Sequence, residues 1–266
     1  MSDRESMPPQ GDVLDQYLRA ARQAIDGIES TQLPAIREAA GRFAKAILGG
    51  RLVHVFGTGH SRMAVEEMFP RYGSFPGFHP IVELSMSYHN PVVGANGQRQ
   101  AMFLENVQDF GPVLWRNFVT SPDDALLAIS SSGCNAVTID VAIEAKERGM
   151  FVAALTSLAN ANASTSKHDS GKKLHEVADL VLDQQAPPGD SAVWIEGLET
   201  PVAPLSSVTS CTIINLIKAE VARLLTEAGQ PPKVLTSACH LGPERARDLF
   251  EATYDDYRRR VGVLYR

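Results

Sequence analysis

Apolar residues recur at three- and four-residue intervals along the first fifty positions. Leu14, Leu18, Ala21 and Ile25 predict an amphipathic helix over Val13 to Ile28. Leu33, Ile36, Ala40, Phe43 and Ile47 predict a second over Gln32 to Leu48, ended by Gly49-Gly50. The pattern then changes to short, nearly continuous apolar runs. Leu52 to Phe56, Ile81 to Leu84, Ala125 to Ile129, Phe151 to Thr156 and Leu180 to Leu182 predict strands, with Val193 to Ile195 as one more. Helical patterns separate these runs: Arg62 to Arg71, Met102 to Phe118 bent near Gly111-Pro112, and Asn135 to Arg148 closed by Gly149. Ser206 to Ala228 and Arg245 to Val261 predict two further helices. Asn160 to Lys173 is expected to be a polar loop, and Ala186 to Asp190 a turn.

Strands alternating with helices imply βαβ units, a mostly parallel sheet of about five strands, and helices on both faces. The expectation is one α/β three-layer sandwich spanning residues 12–266. A helical lead-in covers 12–50, the α/β core 51–228, and a C-terminal helix 243–262. Residues 1–11, polar and Pro-containing, read as a disordered start without the apolar stretch of a signal peptide.

Composition narrows the partners. The 266 residues carry a net charge of −6, against a nucleic-acid footprint, and no run approaches the roughly 18 apolar residues of a membrane span. The Tyr257-Arg258-Arg259-Arg260 run reads as a solvated helix face. Cys134, Cys211 and Cys239 are widely spaced, which fits a reducing cytoplasm and predicts neither disulfides nor a metal site.

Chemistry concentrates in the loops that follow strands. Ser130-Ser131-Ser132-Gly133-Cys134-Asn135 lies where a strand hands over to a helix. Unpaired N–H groups at a helix start favour an anion, and hydroxyls add donors without bulk. The same residues would also serve as an ordinary Ser-rich cap. Cys134 reads as a packing residue or as a thiol beside the site. Gly57-Thr58-Gly59-His60-Ser61 is a second such loop, and Thr156-Ser157 ends a third strand. Arg62 stands where a dinucleotide fingerprint needs its third glycine, and the Walker lysine is absent, so no cofactor is expected. Three hydroxyl-bearing loops at one sheet edge make a neutral cradle for a phosphate.

These motifs resemble the sugar isomerase (SIS) domain. They are V-F-G-T-G-H-S at Val55 to Ser61, A-I-S-S-S-G-C-N at Ala128 to Asn135, and A-L-T-S at Ala154 to Ser157. The chain is most similar to uncharacterised stand-alone SIS proteins classed as phosphoheptose isomerases. That similarity includes G-T-G-H-S-x-M-x-x-E-E-M-F from Gly57, S-G-K-K-L from Ser170 and P-P-G-D from Pro187, and runs nearly end to end. The resemblance implies a flavodoxin-like fold, a homodimer or homotetramer, and a sugar phosphate held by Ser61, Ser130, Ser131, Ser132 and Asn135, with Thr156 in support. It further implies aldose–ketose isomerisation without a metal, through an enediol and a glutamate base.

Glu67 or Glu66 is the candidate base, and since a helix turns about 100° per residue, only one of them can face the site. Both would otherwise be solvated carboxylates. His60 and His89 are candidate assistants, and Glu83, placed at the end of the second strand, is a further carboxylate. Related isomerases carry a glutamine and a histidine on the long helix, where Ser207 and Asn215 stand here. That departure keeps two alternatives open: a non-catalytic phosphosugar sensor, and a lyase or etherase acting on an amino-sugar phosphate. His168, His240 and the Lys172-Lys173 pair read first as surface residues.

Overall fold

The computed structural model describes residues 12–87 and 98–266. His89 therefore lies outside the described residues. Five strands form one parallel sheet: β1 (Val53–Gly57), β2 (Phe78–Ile81), β3 (Ala125–Ile129), β4 (Phe151–Thr156) and β5 (Leu180–Asp183). Their spatial order is β2-β1-β3-β4-β5. A separate antiparallel ribbon pairs β6 (Ser191–Val193) with β7 (Val202–Pro204).

Twelve helices are described. The lead-in is α1 (Val13–Thr31) and α2 (Leu33–Leu48), and α3 (Arg62–Met68) follows β1. Three short helices, α4 (Leu84–Ser87), α5 (Gln98–Leu104) and α6 (Phe110–Trp115), stand between β2 and β3. Next come α7 (Ala136–Glu147), α8 (Leu158–Ala163) and α9 (Leu174–Val177). The chain closes with α10 (Ser206–Glu227), α11 (Ala238–Leu241) and α12 (Pro243–Val261).

Alternation along the strands builds the layers, because successive side chains leave opposite faces of a sheet. Val53, Val55, Leu127 and Leu155 pack with Phe43 and Ile47 of α2, Met68 of α3, and Ile213, Ile217 and Val221 of α10. Phe56, Leu126, Ala128 and Val152 point the other way, onto Trp115 of α6 and Val137, Ile139 and Val141 of α7. All five residues of β1 and of β3 are buried, as a sheet covered on both faces requires.

Several boundaries differ from the sequence reading. The second strand is Phe78–Ile81, paired from Val53↔Phe78 to Phe56↔Ile81, and it lies three residues upstream of the expected Ile81–Leu84. Glu83 therefore does not end a strand. It accepts hydrogen bonds from Ser85 N (3.0 Å) and Ser85 Oγ (2.7 Å) at the start of α4. The expected helix over Met102–Phe118 is two helices, and α8 occupies the start of the expected polar loop. Among the described residues no helix is long and apolar enough to cross a membrane.

Strand order positions the site. β1 is flanked by β2 on one side and β3 on the other, so the chain reverses its direction of travel across the sheet between β1 and β3. At such a switch point the loops leaving the two strands diverge and open a crevice beyond their carboxyl ends.

Candidate functional site

A cavity of about 290 Å³ occupies that crevice. The β1–α3 loop lines it with Thr58, Gly59, His60 and Ser61, and the β3–α7 loop with Ser130, Ser131, Ser132 and Asn135. Ser206, Ser207 and Ser210 come from the first turns of α10, and Gln184 and Asp190 from the segment after β5. Glu105, just past α5, closes one wall.

Glycine makes both loops possible. Gly57 passes so close to Ser61 that a β-carbon would lie 3.0 Å from the Ser61 carbonyl oxygen. Gly133 adopts φ +62°, where L-residues are strained, and a β-carbon there would stand 2.9 Å from Thr156 Oγ1. Thr156 is fully buried behind the loop and lies outside the cavity lining. Its hydroxyl donates to Ser131 O (3.4 Å), so it supports the loop.

The carbonyls of the serine loop are drawn away from the cavity. Ser131 O accepts from Ser157 N (3.0 Å), Gly133 O from Leu174 N (2.8 Å) and Cys134 O from Lys167 N (2.9 Å). Asn135 is the N-cap of α7 yet makes no side-chain capping bond, which leaves its amide to the cavity. Gln184, almost fully buried, donates from Nε2 to Ser131 Oγ (2.7 Å) and accepts at Oε1 from Ser210 Oγ (2.6 Å). Ser131 accepts that bond, so its own proton remains available. Cys134 is buried beneath the loop, and burial pushes its thiol up from the ordinary value, the behaviour of a packing residue.

Glu105 is a buried carboxylate on the cavity wall that the sequence reading missed. It is only 8% exposed, and Thr58 Oγ1 donates to its Oε2 at 2.8 Å. Burial raises its pKa above the ordinary glutamate value, outweighing the opposing effects of the Thr58 bond and the Lys167 charge. Its carbonyl also accepts from Val137 N (3.0 Å), fixing it to the first turn of α7. The one signal in the sequence is a lone carboxylate beside the apolar run Ala101–Leu104.

The expectation that Glu66 or Glu67 faces the cavity is not met. Ala64 is the α3 residue on its wall. Glu66 points outward, paired with Arg62 at 3.5 Å. Glu67, one turn beyond Ala64, leans onto α10. There Asn215 Nδ2 donates to its Oε1 (2.8 Å), Lys218 Nζ lies 3.7 Å away, and Arg71 pairs with its other oxygen. Burial alone would raise the Glu67 pKa, but Asn215, Arg71 and Lys218 together bring it below the ordinary value. Both glutamates line a separate cleft with Tyr72, Cys211 and Phe250. His60 and Ser61 do reach the cavity, whereas His168 is tied to Asp140 at 2.8 Å.

Fold and loops together define a known class. A family model for the SIS domain matches residues 16–157. The chain belongs to the SIS-domain family and, within it, to the UPF0309 proteins. It is 31% identical over 253 residues to a UPF0309 protein of Geobacillus thermodenitrificans, covering 95% of this chain and 98% of that one. The corresponding protein of Caldanaerobacter subterraneus is 32% identical over 235 residues, 87% of this chain and 93% of its own. Among solved structures, a phosphoheptose isomerase from Francisella tularensis shares the fold with a TM-score of 0.51 at 16% identity, over 79% of this chain and 96% of that one.

Proposed function

We propose that the cavity binds a phosphorylated sugar and isomerises it between aldose and ketose, with Glu105 as the proton-transfer group. The observation that carries this reading is one cavity holding both the Ser130–Asn135 loop and a buried carboxylate of raised pKa. The phosphate sits on the hydroxyls of Ser130, Ser131 and Ser132 and the Asn135 amide, with Ser61 opposite. The sugar carbons extend toward Glu105. The Glu105 carboxylate removes the proton from C2 of the aldose while the carbonyl oxygen O1 gains a proton, giving an enediol; the Glu105 carboxyl, free to exchange its proton with water, then protonates C1 as the O2 hydroxyl gives up its proton. A carboxyl of raised pKa suits both halves of that exchange better than one held ionised by three partners, which disfavours Glu67. His60, at the rim, handles protons of the sugar hydroxyls. Assembly into a homodimer or homotetramer belongs to the same reading, supported by the exposed Leu14 and Leu18 of α1. A reducing cytoplasm fits the three unpaired cysteines.

The test is incubation with a panel of sugar phosphates in deuterated water, with binding followed by thermal shift. Deuterium at C1 or C2 supports proton transfer. Binding without exchange favours a phosphosugar sensor, which Asn215 standing on α10 where the related isomerases carry their histidine would also suit. Neither binding nor exchange sinks the reading.

A further inference from the structure

We propose that Gln184 is a positioning residue: it makes the Ser131 hydroxyl a fixed donor to the phosphate and couples the serine loop to α10. The inference rests on the phosphosugar reading of the cavity. Among the described residues the cavity lining contains no lysine or arginine, and it holds two carboxylates, Glu105 and Asp190. A phosphate there must be held by N–H and O–H donors. A serine hydroxyl can donate or accept, and it rotates to suit its surroundings. Beside carboxylates and carbonyls it can spend its proton on the protein, so its direction must be set before an anion arrives.

Gln184 sets it. Its Nε2 donates to Ser131 Oγ at 2.7 Å, and its Oε1 accepts from Ser210 Oγ at 2.6 Å. An amide nitrogen can only donate, so the Ser131 oxygen is the acceptor in that contact and its proton turns elsewhere. Ser131 lines the cavity, where a bound phosphate is the acceptor within reach. Donation to an anion polarises the hydroxyl and strengthens the amide bond behind it. Ser210, on α10, holds the oxygen end of the amide and so keeps the nitrogen end on the serine loop. The hydroxyls of Ser131 and Ser210 thus communicate through one side chain.

The backbone aims this side chain. Gln184 directly follows β5, and its N–H donates to Thr156 O at 3.0 Å, at the end of β4. The Thr156 hydroxyl donates to Ser131 O at 3.4 Å, so one threonine ties the backbones of both partners together. The residues on either side serve other bonds. Asp183 accepts from Leu158 N and from Gln185 N, each at 3.1 Å. Gln185 adopts φ +58°, uncommon for a residue with a side chain, and its Nε2 donates to Asp183 Oδ2 at 2.9 Å. Such a conformation persists only where surrounding contacts fix it. Gln184 itself is 1% exposed. A buried amide bonded at both ends keeps one orientation, which is what a positioning group requires.

The experiment is a pair of double-mutant cycles, read as affinity for inorganic phosphate and for each sugar phosphate that wild type binds. The first combines Ser131→Ala with Gln184→Met, which keeps the length of the side chain and removes the amide. The second combines Ser131→Ala with Ser210→Ala. Ser131→Ala alone should lose at least about tenfold, as for a hydrogen bond to a charged group. Gln184→Met should lose a similar factor in wild type and less than about twofold in the Ser131→Ala background, because the amide acts through that hydroxyl. Ser210→Ala should show the same dependence at a smaller size. A merely structural role would lower the melting temperature and cost the same affinity in both backgrounds. Equal losses in both backgrounds overturn the inference. So does a gain of affinity in Gln184→Met, which would show Ser131 donating to the amide, and so does unchanged affinity in Ser131→Ala. Each of these leaves the phosphosugar reading standing. If Gln184→Met does not fold, the Ser210 cycle decides. A wild type that binds neither inorganic phosphate nor any sugar phosphate overturns both.

Discussion

Glu105 and Glu67 are two glutamates held in opposite electrostatic states. Glu105 has one hydroxyl partner and a desolvated wall, while Glu67 has an amide and two cations. For Glu105→Gln, phosphosugar binding should stay within a few-fold of wild type while deuterium exchange falls by at least about a hundredfold, the scale of general acid–base catalysis. Retained exchange would move the chemistry elsewhere. The pH dependence follows from the sign of the shift. Only the ionised carboxylate can accept the first proton, so kcat/KM should fall as pH drops through the Glu105 pKa. Because burial raises that pKa, the acidic limb should lie above the ordinary glutamate range, as a pH–rate profile would show. Gly133 gives a test of the cradle. Gly133→Ala places a β-carbon against Thr156 Oγ1 at φ +62° and should cost about 1–3 kcal/mol of stability along with most phosphate affinity. An unchanged melting temperature and affinity would show that the loop tolerates the strain.

Elements carry the site through their ends. β1 and β3 lie side by side and each releases a glycine-containing loop into one crevice. α10 contributes serines from its N-terminal turns, where Asp190 accepts from Leu205 N (3.1 Å) and Ser206 N (2.7 Å). At the opposite end of the sheet, Asp124 joins the starts of β1 and β3. It accepts from Arg51 Nε (3.0 Å) and Nη2 (2.8 Å), Leu52 N (3.0 Å) and Ser121 N (2.8 Å). Removing one partner of a buried ion pair costs about 3–5 kcal/mol, so Asp124→Ala should lower the urea midpoint by that equivalent. Because the carboxylate lies far from the cavity, phosphosugar affinity of the folded fraction should not change. A loss of affinity in excess of unfolding would contradict that separation.

For the whole molecule, the buried pair at the base of the sheet sets the response to acid. His54 Nδ1 and His79 Nδ1 are 3.0 Å apart, so one nitrogen donates and the other accepts. Burial, then the neighbouring His54, lowers the His79 pKa from 6.5 to about 3. Between those values the unfolded chain binds a proton that the native state refuses. Stability is therefore complete above about pH 6.5 and declines as pH falls toward about 3, by about 1.4 kcal/mol per pH unit at most. Asp124, held ionised below the ordinary range, adds to the decline in the most acidic part. Urea midpoints measured from pH 7 to 4 check this, and His79→Asn should flatten the slope. A slope equally steep in that variant would assign the effect to other groups.

The sequence by itself determined the elements whose signals are local. Apolar runs of strand length, separated by amphipathic helices, placed β1, β3, β4, α7 and α10 within a residue or so of their observed limits. Glycines and hydroxyls at fixed offsets after two strands marked both loops, because a strand-to-helix turn imposes its residue types locally. β2 was displaced by three residues because an apolar run does not show which of its members pair with β1. Tertiary structure alone decided which carboxylate belongs to the cavity. Glu66 and Glu67 are close to Ser61 in sequence, yet α3 turns Glu66 to solvent and Glu67 toward α10. Glu105 comes from more than forty residues away and reaches the site only through the packing of the chain beyond α5 against α7. A residue's pKa depends on burial and on the charges that folding brings to it, and neither is encoded in the residues beside it along the chain.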